Sequence, residues 1–298
     1  YGNTQFAYNY LADEYSNNDT AITNITVSPE PNIGPTASAG VDQSQIIALL
    51  VPDQEMGEAY KIYIAPYIKK DQYLLFAHGY NIHYGRIEPP KDVNIVLSAP
   101  SAAGTELRRK FKDASGVPGV FAIHHDYSGD SKDIILAYSK AIGLTRVGMV
   151  ETSFKEETET DLFGEQAILT GGLPRLMQLS YKVLLEGGYD SAVAWLVCYF
   201  ELKTIVDVFH KKGFEYLYNV ISGTAEYGGI TRGKRLVNED TEKELKKILY
   251  EIQNGEFHKE WMKESGNNLQ KLQLMRKEEA DDPLETMGKY MLKEFFEE

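Results

Sequence analysis

Residues 46–79 read IIALLVPDQEMGEAYKIYIAPYIKKDQYLLFAHG, and the order of patterns in this stretch decides the fold. The aliphatic run Ile46–Val51, closed by Pro52, has the length and composition of a buried strand. Glu55–Ile68 then spaces its apolar side chains three and four apart, which places them on one face of a helix. A second strand-like run, Tyr73–Ala77, stops at His78-Gly79. Strand, helix and strand in this order predict a βαβ unit, with parallel strands in a sheet covered by helices. Outward from it, Ile22–Val27, Val93–Ser98, Val117–Ile123 and Arg146–Val150 read as further strands, and Thr105–Asp113 and Ser131–Ile142 as further helices. From about Phe154 onward the strand runs give way to the helical patterns Leu173–Gly187, Ser191–Lys212, Thr241–Gly255 and Leu284–Phe296. Gly-Gly pairs at Gly171, Gly187 and Gly228 are expected to act as stops between helices. The expected fold class is therefore α/β followed by all-α, with a first domain over residues 1–152 and a second over 153–298.

Composition narrows the function classes. The 298 residues carry 44 acidic and 31 basic side chains, a formal charge of −13, and a partner with a phosphate backbone or an anionic membrane surface requires the opposite excess. No nucleic-acid or membrane partner is expected. The longest unbroken apolar run, Ala192–Phe200, has nine residues, about half of a membrane-spanning helix. Cys198 is the single cysteine, so no internal disulfide and no cysteine-based zinc site can form, and a cytoplasmic location is expected. Ser191–Phe209 is apolar nearly all round, which demands burial either in a bundle centre or across a subunit interface; an oligomer is expected.

Several residues are candidates for chemistry. Asp161 and Glu165 stand four apart in Thr160-Asp-Leu-Phe-Gly-Glu-Gln166, so on a helix both carboxylates share a face. That face suits Mg²⁺, an oxygen-seeking ion; the alternative is a solvated helix start, since Glu156, Glu157 and Glu159 precede it and acids favour a helix N-terminus. Glu201 follows the apolar run and needs either a metal or a base such as Lys203. His78 ends a strand, where open α/β sheets bind ligands; His83 and His124-His125 are placed on similar ground, and each of the four also reads as an ordinary loop histidine. Tyr1-Gly-Asn-Thr-Gln-Phe-Ala7 could be the tail of a glycine-rich dinucleotide turn, but only Gly2 of the G-x-G-x-x-G fingerprint is present, so by itself it is not a motif.

The segments Phe76-Ala-His-Gly-Tyr-Asn-Ile-His83 and, above all, Glu151-Thr-Ser-Phe-Lys-Glu-Glu-Thr-Glu-Thr-Asp-Leu-Phe-Gly-Glu-Gln166 resemble ketol-acid reductoisomerases of the short form. Glu201-Leu-Lys203, Thr224-Ala-Glu-Tyr-Gly228, Thr231-Arg-Gly233, Ile252-Gln-Asn-Gly-Glu-Phe257, Glu260-Trp-Met262 and Arg276-Lys-Glu-Glu-Ala280 fit the same family. The resemblance implies a Rossmann-type N-terminal domain and a helical, knotted C-terminal domain completed across a homodimer or higher oligomer. It implies Mg²⁺-dependent alkyl migration in 2-acetolactate or 2-aceto-2-hydroxybutyrate, 2-hydroxy-3-keto acids, then reduction by NADPH or NADH to 2,3-dihydroxy acids of valine and isoleucine biosynthesis. On this resemblance Asp161, Glu165 and Glu201 are the metal ligands and His78 the catalytic histidine. Ser222 contacts the substrate carboxylate, and Tyr1, Gly2, Asn3, Thr4, Pro52, Asp53 and Gly104 line the cofactor.

The chain departs from that pattern at four places. Val197 stands where the family has a second-metal glutamate, and Ser101 where it has a lysine after the strand-end proline. Gln5 replaces the third glycine of the phosphate turn, and Ser28-Pro-Glu-Pro-Asn-Ile-Gly34 offers no base for a 2′-phosphate, although Glu30 could accept ribose hydroxyls. These losses raise the alternative of a catalytically inactive paralogue, retained as a structural or regulatory subunit beside an active family member.

Overall fold

The computed structural model describes residues 25–26, 40–41 and 43–296. Among the described residues, six strands form one sheet in sequential order: β1 (Ile25–Thr26), β2 (Ile46–Leu49), β3 (Tyr73–Phe76), β4 (Asn94–Pro100), β5 (Gly119–His125) and β6 (Met149–Thr152). Strands β1 to β4 are parallel. The runs are continuous and apolar because both faces are covered. Ile47, Leu49, Leu74, Phe76, Ile95 and Leu97 enter one core, while their neighbours Ile46, Ala48, Tyr73, Leu75 and Val96 enter the other. Helix α1 (Asp53–Ala59), extended by a π-helical turn over Tyr60–Ile64, and α2 (Tyr80–His83) lie over the first core; α3 (Gly104–Lys112) and α4 (Ser131–Ala141) lie over the second.

The expectation of an all-parallel sheet fails at β5. Pro100 pairs with Gly119 and Ile95 with His125, so β5 runs antiparallel to β4, and β6 is parallel to β5. After α3 the chain turns at Ala114, whose φ of 53° is left-handed, and re-enters the sheet at the edge it has just left. The end of β5 is consequently the opposite edge from the end of β3. His125 sits there, with Nε2 2.7 Å from the Lys91 carbonyl at the approach to β4, and does not share the ground of His78.

The chain divides into two compact units between Thr160 and Asp161, within helix α5 (Phe154–Gly164). The second unit is helical: α6 (Gly172–Glu186), α7 (Ser191–Trp195), α8 (Glu201–Val220), α9 (Gly223–Leu236), α10 (Glu239–Gln253), α11 (Glu256–Gly266), α12 (Gln270–Ala280) and α13 (Pro283–Phe296). Its core gathers Tyr181, Ala194, Trp195, Leu284 and Met291 from α6, α7 and α13. Gly187 caps α6 as expected, but Gly228-Gly229 lies inside α9 and stops nothing. Each such glycine costs about 1 kcal/mol relative to alanine, which Ser222 helps offset as N-cap by accepting from the Ala225 N–H at 3.2 Å. The predicted helix Ser191–Lys212 is interrupted by a π turn over Leu196–Phe200, and its predicted end at Lys212 is followed directly by a break at Gly213, φ 82°. Within the single chain this segment is not buried all round, since Val193, Val197 and Phe200 are exposed. Among the described residues no helix is long and apolar enough to cross a membrane.

Candidate functional site

The carboxyl ends of β2 and β3 adjoin, because Leu49 pairs with Phe76 in parallel register. Pro52 leaves one of them as the N-cap of α1, and Asp53 and Glu55 occupy the first helical turn, where acids complement the helix dipole. His78-Gly79 leaves the other. Glu157, in the first turn of the helix Phe154–Gly164 that follows β6, closes over this loop. Its Oε1 lies 3.0 Å from His78 Nδ1, and its Oε2 accepts from the Gly79 N–H at 2.7 Å.

Glu157 is only 7% exposed, so the reading of Glu156, Glu157 and Glu159 as a solvated helix start is corrected for Glu157 and for the equally buried Glu159. A carboxylate taken out of water needs donors, and Glu157 obtains one from the backbone and one from the ring. Because a carboxylate can only accept, the His78 proton sits on Nδ1. Nε2, the other end of the imidazole, lies 4.0 Å from Asp53 Oδ2. Gly79 makes the approach of α5 possible, since a Cβ there would come within 2.6 Å of Thr158 Oγ1 and 2.7 Å of the Phe154 carbonyl.

Asp53 is held in turn. Asn81 Nδ2 donates to its Oδ1 at 3.1 Å, and Arg86 Nη1 donates to its backbone carbonyl. Burial raises the Asp53 carboxyl above its ordinary pKa and Glu157 adds to this, while His78, Arg86 and Asn81 pull it down. His83, next along, pairs with Glu159 at 3.5 Å, and burial lowers its pKa. His124 packs its ring on Phe154, centroids 5.5 Å apart.

Asp161 follows Glu157 by one turn of the same helix, and Glu165 follows by one more, opening a π turn over Glu165–Leu169; both are exposed. Glu201 is exposed as the first residue of α8, directly after the π turn Leu196–Phe200. π turns inside helices concentrate at functional sites. The expected alternative partner of Glu201 is not engaged with it: Lys203 pairs with Asp207 at 2.6 Å, since residues two apart on a helix face different ways. Val197 is 53% exposed within the same π turn. Ser101 is exposed beyond β4, its N–H bonded to the Pro118 carbonyl at 2.9 Å, and Gly104 opens α3 with free space where a Cβ would stand. A groove of about 340 Å³ between α11 and α12, lined by Phe257, Trp261, Leu272 and Met275, contains none of these residues.

Residues 33–148 match the acetohydroxy acid isomeroreductase NADPH-binding domain, and residues 154–296 match the ketol-acid reductoisomerase C-terminal domain. The chain belongs to the ketol-acid reductoisomerase family. It is 43% identical over 258 residues to the ketol-acid reductoisomerase (NADP(+)) of Methanocaldococcus jannaschii, covering 87% of this chain and 78% of that protein. Identity to the protein of the same name from Methanococcus maripaludis is 45% over 253 residues, 85% and 77% of the two chains. The solved structure of an NADH-preferring ketol-acid reductoisomerase from an uncultured archean is 36% identical, with a TM-score of 0.85 and coverage of 87% and 78%. Nothing in these matches favours an inactive paralogue.

Tyr1, Gly2, Asn3, Thr4, Gln5 and the Ser28–Gly34 segment with Glu30 lie outside the described residues. Sequence reasoning missed Glu157, Asn81 and Arg86. For Glu157 a signal existed, since Glu157, Asp161 and Glu165 repeat every four residues and so share one helical face.

Proposed function

We propose that this protein is a working ketol-acid reductoisomerase, which isomerises 2-acetolactate or 2-aceto-2-hydroxybutyrate and reduces the product to a 2,3-dihydroxy acid. The observation that carries the reading is the family match across both halves of the chain; the held His78 at the strand ends supports it.

The alkyl shift removes a proton from the substrate's tertiary hydroxyl and delivers one to the former keto oxygen, and the reduction consumes another. His78 suits this traffic: Glu157 fixes the Nδ1–H and steadies the imidazolium, and Nε2 takes up or gives the proton. Ser222 and the first N–H groups of α9 orient the substrate carboxylate, since a helix N-terminus attracts anions. Pro52, Asp53 and Gly104 line the nicotinamide cofactor, whose contribution when bound is the hydride. Asp161, Glu165 and Glu201 would hold Mg²⁺ through carboxylate oxygens, the hard donors that ion takes, and Val197 would add nothing to them. Bound there, Mg²⁺ supplies Lewis-acid polarisation of the substrate oxygens. Whether NADPH or NADH serves better rests with the segment after β1. The exposed apolar side chains Val193, Leu196, Val197 and Phe200 support a homodimer or larger oligomer that covers them.

The test is oxidation of NADPH or NADH on addition of 2-acetolactate and Mg²⁺. The proposal expects cofactor oxidation that stops on chelation of the metal; a rate no higher than the blank with either cofactor rejects it.

A further inference from the structure

One cation in the first unit has no place in that proton traffic, although it touches both helices that flank the site. Arg86 follows α2 by a short turn through Gly85, φ 64°. Its Nη1 donates to the Asp53 carbonyl and, at 3.1 Å, to Asn81 Oδ1. Its Nη2 donates to the Gln54 carbonyl at 2.8 Å. Asn81 passes the restraint on, donating from Nδ2 to Asp53 Oδ1 at 3.1 Å. The backbone repeats the arrangement, because the N–H groups of Arg86 and Ile87 both donate to the Asn81 carbonyl, at 2.9 and 3.1 Å.

Carbonyls of the first helical turn already point along α1 to later N–H groups, so a donor reaching Asp53 and Gln54 together grips the side of that turn and fixes its rotation. Only a planar fork spans two carbonyls and an amide oxygen at once; an ammonium on a flexible stem reaches them one at a time. We propose that Arg86 is a positioning residue of the reaction, whose guanidinium locks the first turn of α1 to α2 so that the Asp53 carboxylate faces Nε2 of His78. This rests on the reading of His78 as the proton-handling group. Arg86 touches no reacting atom and acts through Asp53. The charged and titratable groups that face Asp53 are His78 from the β3 loop, Glu157 from α5, Tyr80 from α2 and Arg86 itself.

The experiment compares the full chain with Arg86→Met, Arg86→Lys, Asp53→Asn and the Asp53→Asn/Arg86→Met double variant. Each is assayed with 2-acetolactate, Mg²⁺ and NADPH or NADH, and amide hydrogen exchange is followed across residues 53–56. Loss of orientation costs rate before affinity, so Arg86→Met is expected to lower kcat about 10- to 100-fold with KM for acetolactate changed less than about threefold. Arg86→Lys is expected to recover part of that loss. Residues acting as one unit are non-additive, so the double variant should fall within about threefold of the slower single variant. Exchange at Glu55 and Met56, whose N–H groups bond the Pro52 carbonyl, should accelerate in Arg86→Met while the β3 and β4 amides keep their protection. A wild-type chain without turnover would reject the functional reading alone, and the exchange result then decides the lock by itself. Wild-type kcat in Arg86→Met, multiplying losses in the double variant, or unaltered exchange in the first turn of α1 overturns the proposal.

Discussion

At the scale of single residues the account turns on a buried carboxylate. Glu157 supplies charge that a glutamine of the same shape cannot, so Glu157→Gln should lower kcat about 100-fold, the order of a general acid–base contribution, with secondary structure unchanged by circular dichroism. Asp53 gives a signed pH effect. Burial raises its folded-state pKa above the ordinary 3.8, so its ionised form weighs against folding. That penalty is absent below the ordinary pKa, grows as pH rises toward the folded value, and is constant above it. Asp53→Asn should therefore raise Tm at pH 7 and lose this advantage as the pH is brought below the ordinary carboxylate range, while activity falls, the usual exchange of stability for function. Of these residues Asp53 is assigned by resemblance, whereas Glu157 shows in the sequence only as a member of the four-residue repeat with Asp161 and Glu165. Burial depends on where α5 lands, and an acid-rich helix start looks solvated until Gly79 is seen to admit it. Val197→Glu returns an oxygen donor to the π turn before Glu201, and is expected to lower the Mg²⁺ concentration for half-maximal rate about tenfold.

At the scale of elements, the strands were readable because a sheet covered on both faces turns each strand into an unbroken apolar run, as in Leu74-Leu75-Phe76. The direction of β5 was not. A helix such as α3 between two strands looks the same in sequence whether the second strand runs with or against the first; only the tight return at Ala114 separates the cases. Gly228-Gly229 misled for a related reason, since an exposed face of α9 tolerates glycines that elsewhere end a helix. The junction of α5 with the β3 loop is the element contact on which the site depends. Gly79→Ala forces a methyl group into the Phe154 carbonyl and Thr158, and overpacking of this kind costs about 1–3 kcal/mol. Chemical denaturation should show that loss, accompanied by a fall in kcat as Glu157 is pushed from His78.

At the scale of the molecule, the helical unit keeps only a small core around Trp195 and leaves apolar side chains of α7 and the following π turn in water. Patches of this kind are interaction surfaces. Sedimentation should find a dimer or larger species, and Val193→Asp should shift it toward monomer with loss of activity, whereas substitution of an exposed lysine on α10 should do neither. The division of the chain into an α/β and a helical half was plain from the change of period near Phe154, since that pattern is local; the apolar stripe of Ser191–Phe209 carries the expectation of a partner that sedimentation tests. The proposed activity is a metal-dependent isomerisation followed by a nicotinamide reduction. It is tested most directly by following NADPH or NADH absorbance with the purified full chain, 2-acetolactate and Mg²⁺. The account predicts consumption of cofactor that requires both substrate and metal and is abolished in Asp161→Asn; an absorbance trace identical with and without 2-acetolactate would contradict it.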